Sequence, residues 1–157
     1  MGTLCSKGVV TAAFVISILL GMARAEDKPL KKSELPAPVQ KTADEQSTGA
    51  LVRGYSSEME GGKLEYEVQM TINKHSRDVS IAPDGRVLEI EEEVSMNDLP
   101  ASVRDALKKK ANSGTITKIE SLTKGNKLVA YEAQLRNGAK RSEIQVGPQG
   151  EPLARPE

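Results

Sequence analysis

Leu64-Glu65-Tyr66-Glu67-Val68-Gln69-Met70-Thr71-Ile72 alternates apolar and polar residues from end to end. A period of two is the pattern of a β-strand with one buried face. The pattern returns 65 residues later as Val129-Ala130-Tyr131-Glu132-Ala133-Gln134-Leu135, with Tyr66 and Tyr131, Glu67 and Glu132, and Gln69 and Gln134 identical at that offset. Over Gly49 to Leu88 the ungapped offset holds eight identities in 40 positions. Leu51, Leu64, Val68, Met70, Val79 and Ile81 meet apolar residues at the same distance, so apolar character recurs where the pleat needs it.

Other elements fall in order around these strands. Leu35-Pro36-Ala37-Pro38-Val39 predicts a short helix with prolines in its first turn, where a missing N–H costs nothing. Leu35, Val39, Thr42 and Ala43 form its apolar stripe. Asp98-Leu99-Pro100-Ala101-Ser102-Val103 opens a second helix that runs through Leu107 and Ala111. Gly49 and Gly114 suit helix stops. Glu60-Gly61-Gly62-Lys63 and Lys124-Gly125-Asn126-Lys127 read as hairpin turns. Ala82-Pro83-Asp84-Gly85 and Gly147-Pro148-Gln149-Gly150 read as proline-initiated turns.

The expected architecture is therefore α+β: two tandem repeats, each one helix on a roughly four-stranded antiparallel sheet, joined edge to edge. Two beads linked by Glu89 to Asn97 are the alternative. The boundaries are a signal peptide over 1–25, a flexible lead-in over 26–32, repeats over 33–96 and 97–153, and a disordered tail over 154–157.

The leader reading rests on Lys7, an apolar run from Val9 to Met22, and Ala23-Arg24-Ala25 before Glu26. That run is about 14 residues, where a membrane-crossing helix needs roughly 20. The expectation is an exported chain, periplasmic or extracellular, with no membrane anchor after cleavage. Cleavage would remove the single Cys, leaving no disulfide or thiol chemistry. It would also remove Lys7 and Arg24, leaving 20 cations against 22 carboxylates. Such a balance does not point to nucleic acid or to an anionic membrane.

The leader, the Leu-Pro-x-x-Val helix, the strand with Tyr66-Glu67-Val68 and the Asp84-Gly85 turn before Val87-Leu88 together resemble the PepSY-like domains. The pattern is similar to their tandem exported form, which is grouped with β-lactamase inhibitor proteins. That resemblance implies an antiparallel sheet packed on helices, no catalytic residues, an extracytoplasmic location and a binding or inhibitory role towards other proteins.

Polar chemistry is sparse. No Ser-His-Asp set, phosphate loop or basic aromatic patch is present, so the expectation is a non-enzymatic protein without cofactor or resident metal. His75 has no second His or Cys beside it in the exported chain and reads as a surface residue. Glu89 and Glu91-Glu92-Glu93 read as a solvated strand end, with loose binding of a divalent cation as the alternative. Tyr66 and Tyr131 are in phase with core residues and read as packing. Glu67, Gln69, Glu132 and Gln134 lie on the polar side of their strands, the natural place for a protein partner if no helix covers it. Tyr55 faces Glu120 at the 65-residue offset, which shared packing does not explain, so Tyr55 is the first candidate contact residue. Arg53 and Arg77 are the seconds. The remaining alternatives are an envelope-associated structural protein and a small-ligand sensor.

Overall fold

A computed structural model describes residues 28–154. The leader and the final residues of the tail lie outside the described residues. Eight strands form one antiparallel sheet in sequence order: β1 (Lys28–Leu30), β2 (Leu51–Glu60), β3 (Lys63–Ile72), β4 (His75–Ile81), β5 (Val87–Glu93), β6 (Thr115–Lys124), β7 (Lys127–Asn137) and β8 (Lys140–Val146). Among the described residues two α-helices complete it, α1 (Ala37–Gln46) and α2 (Ala101–Ala111). None of the described helices is long and apolar enough to cross a membrane.

This corrects the expected α+β pair of tandem helix-on-sheet repeats. The chain is mostly β, built on a single sheet, and the segment read as a possible linker is its middle. Glu89 to Glu93 pair with Lys124 to Glu120, so β5 and β6 are bonded like any other neighbours. Hydrogen-bonding groups on both edges of β5 are thereby satisfied, leaving no break between halves. The lead-in reading is corrected too, because Lys28 to Leu30 pair with Ser57 to Tyr55 as an edge strand. Proline is tolerated there, where one side of the strand needs no donor. Among the described residues after Gly150, 151–154, no strand forms.

Local chemistry explains the turns and helix starts. Gly61 and Gly62 take φ of 56° and 80°, and Gly125 and Asn126 take 56° and 62°, the positive pair that a two-residue hairpin turn requires. Pro36 and Pro100 precede the helices, and their carbonyls accept the amides of Gln40 and Arg104 at 2.9 and 3.0 Å.

Residues paired across antiparallel strands share a face. Val68, Val79 and Ile90 follow one another on neighbouring strands, and Ile119, Ala133 and Ile144 do the same further along. Ile90 pairs with Thr123, which is in phase with Ile119, so both sets lie on one side of the sheet. Leu35, Val39 and Ala43 pack on the first set; Leu99, Val103 and Leu107 pack on the second. Each fully buried valine or leucine contributes about 2 kcal/mol. Both helices therefore cover the same face, and the described residues place no helix on the other.

Candidate docking face

The uncovered face is polar. Reading across the strands, its rows run Ser56, Glu67, Ser80, Glu89, Lys124; then Gly54, Gln69, Asp78, Glu91, Leu122, Ala130; then Glu93, Glu120, Glu132, Gln145. Between β3 and β7 it carries eight carboxylates, Glu65, Glu67, Asp78, Glu89, Glu91, Glu93, Glu120 and Glu132, and five cations, Lys63, Lys118, Lys124, Lys127 and Arg136. Register shifts between Val52 and Gly54, Ser80 and Ile81, Ile116 and Lys118, and Leu122 and Thr123 bend the strands. Leu122 and Ala130 are buried on this face with no helix above them.

The four strand residues expected to meet a partner, Glu67, Gln69, Glu132 and Gln134, all stand on this face and are half-buried. Gln69 donates to Glu67 at 2.6 Å, and Gln134 donates to Glu120 at 3.4 Å. Gln145 on β8 donates to Glu132 at 2.8 Å. Arg53 sits in the first bulge, exposed, and donates to the Thr71 hydroxyl at 3.3 Å.

Tyr55 and Arg77 stand elsewhere, on the helix side. Tyr55 pairs with Leu30 and Val68 and packs half-buried against the first core cluster. The reason is a slip in register. The shift on β2 skips Arg53 and that on β6 skips Thr117, so Val52 corresponds to Ile116 and Tyr55 to the core residue Ile119, 64 residues apart. The extra residue enters at Val129, after which the offset becomes 65. Arg77 donates to the carbonyl and side chain of Gln46 at the end of α1, at 3.1 and 3.0 Å, and pairs with Glu92 at 2.9 Å. A cation at that helix end complements the dipole. Tyr66 and Tyr131 pack against the two clusters. His75 is exposed, 4.0 Å from Glu93.

The face has a centre that sequence reasoning missed. Asp78, Glu91 and Glu120, on β4, β5 and β6, bring carboxylate oxygens within 4.8 Å of one another. Glu91 is thus in mid-sheet, which corrects the reading of the glutamate run as a strand end. Carboxylates at this spacing could share a hard cation. The chain brings its own: Lys118 Nζ lies 2.5 Å from Glu120 Oε1, and Glu120 is only 3% exposed. Burial opposes the Lys118 charge, but the hydrogen bond and charge of Glu120, with Asp78 and Glu93, outweigh it and raise its pKa. Burial, then the charges of Glu67 and Glu120, push Asp78 up to about 6 against the pull of Lys118. Glu65 is raised by burial and by Glu60 and Glu89. Glu93 is lowered, chiefly by the Ser76 amide that it accepts at 3.0 Å. No sequence signal marks the trio, because its members come from three strands whose register is set only in the folded sheet.

Two recesses flank this surface. One, of about 570 Å³, is lined by Thr117, Gln134, Arg136, Arg141 and Glu143 near the β7–β8 turn. The other, of about 520 Å³, lies among Leu64, Glu65, Pro83, Arg86 and Leu88.

Neither a protein-family model nor a curated protein sequence matches this chain. Solved structures do. A "putative periplasmic protein" from Bacteroides eggerthii superposes with a TM-score of 0.61 at 16% identity, over 74% of this chain and 84% of that one. A BLIP-like protein from Bacteroides fragilis gives 0.56 at 18% identity, over 76% and 83%. A DUF2874 family protein from Bacteroides ovatus gives 0.59 at 16% identity, over 77% and 85%. The fold is shared with these BLIP-like and DUF2874 structures.

Proposed function

We propose that this chain is an exported, non-enzymatic protein-binding module that docks a partner on its uncovered sheet face. On this reading it inhibits or modulates a secreted or envelope enzyme, such as a peptidase. The observation that carries it is the placement of both helices on one side, which leaves a polar surface spanning the sheet on the other. A sheet that needed only stability could leave that face as a plain solvated surface. Here the face instead concentrates half-buried carboxylates and amides on bent strands. The periplasmic description of the Bacteroides eggerthii protein and the BLIP-like name of the Bacteroides fragilis one support export and a binding role. The Ala23-Arg24-Ala25 site supports cleavage before Glu26, and the Leu-Pro-x-x-Val and Tyr-Glu-Val motifs support membership among the tandem PepSY-like proteins.

The test is affinity capture from the envelope and secreted fraction of the producing cell. The bait is the chain from Glu26 onward, beside a variant with Glu67, Gln69, Glu132 and Gln134 changed to Ala. A partner held by the native chain and lost by the folded variant supports the proposal. A partner retained by the variant moves the site to the loops and rejects the face.

A further inference from the structure

We propose that the outer edge of β8 is a strand-addition site: an extended segment of a partner protein pairs with it antiparallel, as β5 pairs with β4, setting an apolar side chain beside Ile144 and a carboxylate beside Arg141. The proposal goes beyond the docking reading, because it uses the edge of the sheet and not its open face, and neither depends on the other.

Comparing the two halves of the chain exposes the site. β3 with β4 and β7 with β8 share one register at the 65-residue offset: Tyr66 pairs with Ile81 as Tyr131 does with Val146, and Thr71 with Ser76 as Arg136 does with Arg141. The turns that follow match too, the Ala82 amide donating to the Arg86 carbonyl at 2.9 Å and the Gly147 amide to the Glu151 carbonyl at 2.8 Å. Beyond the first turn, β5 pairs along β4 from Arg77 to Ile81. Beyond the second, Pro152 stands where Val87 does, a residue with no N–H to donate. Among the described residues no strand covers the outer side of β8. Burial registers the difference. Val79 is 0% exposed, whereas its counterpart Ile144 is only half-buried against the second core cluster. Arg77 and Asp78 are half-buried, and their counterparts Ser142 and Glu143 are exposed. The Gln145 carbonyl accepts Lys110 Nζ at 2.6 Å, a side chain from α2. A strand edge of this kind is a template for a further strand.

β5 defines what fits. Ile90 pairs with Val79 and packs on the first core cluster, so the residue beside Ile144 is apolar. Glu93 accepts the Ser76 amide and hydroxyl at 3.0 and 3.2 Å. In the second half Arg141 takes the place of Ser76, directly opposite Arg136 on β7. Like charges so placed repel. A carboxylate at the position of Glu93 relieves that repulsion and gains a charge-assisted hydrogen bond. The recess of about 570 Å³ lined by Arg136 and Arg141 gives it room. A second copy joined head to tail does not supply such a strand. Its β1, which pairs with β2 as the end of β5 pairs with β6, spans three residues and carries Pro29 at the place of Glu93.

The experiment is an amide-shift titration of the chain from Glu26 onward with a capped peptide of the β5 sequence, Arg86 to Val94, carrying Glu91→Gln because that place meets Glu143. Two further peptides carry backbone N-methyl groups, one at positions 88, 90 and 92 and the other at 89, 91 and 93. Amides of an added strand point alternately to β8 and to solvent, so one methylated peptide loses binding and the other keeps it. Arg141→Glu on the edge and Lys41→Glu on α1 are the charge-matched variants, and thermal unfolding verifies the fold of each. The expected result is shifts confined to β8 and the turn after it, loss of binding by one methylated peptide alone, and about fivefold weaker binding by Arg141→Glu with Lys41→Glu unchanged. Absence of binding at about 1 mM peptide, shifts on the open face or at β1, equal behaviour of the methylated peptides, or equal weakening by both variants overturns the proposal. Self-association of the chain that broadens the β8 amides without peptide assigns the edge to a second copy and overturns the partner segment.

Discussion

Lys118 and Glu120 occupy the same face of one strand, two residues apart, with Nζ 2.5 Å from Oε1 and the glutamate 97% buried as judged by its 3% exposure. Their pairing neutralises the most deeply buried charge of the open face. Changing Lys118 to Met leaves Glu120 without its cation near Asp78 and Glu91. The expected loss is about 3 kcal/mol in urea unfolding, the cost of uncovering one half of a buried pair. Adding Glu120→Gln to that variant should recover most of it, and a double-mutant cycle measures the coupling. Strictly additive losses would show that the pair is not a unit.

Asp78 gives the molecule a dependence on pH. Its folded pKa of about 6 lies above the ordinary 3.8, so the folded state holds the Asp78 proton more tightly than the unfolded chain does. The stability from this group is complete below about pH 4 and is lost as pH rises through 6. Burial is the largest cause of the shift; Glu67 on β3 and Glu120 on β6 add to it, Lys118 on β6 opposes it, and Glu91 on β5 lies beside them. Asp78→Asn should therefore raise the melting temperature at pH 7 to 8 and lose that advantage near pH 4. An equal gain at both pH values would locate the effect in something other than titration.

Gly85 turns the chain against α1. At φ +89° an added Cβ would stand 2.9 Å from the Pro38 carbonyl oxygen. Gly85→Ala should destabilise by about 2–3 kcal/mol, combining backbone strain with the clash. Gly61→Ala, at φ +56° with open space around the new methyl, should cost about 1 kcal/mol. Chemical denaturation of the two variants separates the contributions, and equal losses would dismiss the role of the contact.

Tyr55 is predicted to matter for stability. It lies between Leu30 and Val68 against the first core cluster, so Tyr55→Ala should cost about 3 kcal/mol. Tyr55→Phe keeps the ring and should cost much less. Wild-type stability in the alanine variant, by thermal unfolding, would reject this placement.

Local signals carried much of the fold. The alternation from Leu64 to Ile72 marks β3, the Gly-Gly and Gly-Asn pairs mark two hairpins, and Leu-Pro-x-x-Val marks both helix starts. What failed was long-range. Three residues containing two polar or proline positions carry no readable period, so β1 was missed, and with it the cover over Tyr55. A single inserted residue at Val129 moved the true offset of β2 and β6 from 65 to 64, which put Tyr55 opposite Glu120 instead of Ile119. The pairing of β5 with β6 has no local signature, so the sequence reads as two helix-on-sheet repeats joined edge to edge instead of one eight-stranded sheet, and the mid-sheet glutamates read as a strand end. Of the site, Glu67, Gln69, Glu132 and Gln134 could be assigned to a polar face from alternation alone. The convergence of Asp78, Glu91 and Glu120 could not, since it depends on three strand registers at once.

Site-specific photocross-linking in the producing cell tests the docking face most directly. A cross-linking side chain at position 69 or 134 reports on the open face, and one at the exposed Lys41 or Lys108 reports on the helices. The account predicts that positions 69 and 134 capture the same protein while the helix positions capture none. Capture of a common protein from positions 41 and 108 alone would place the interface on the helices and contradict it.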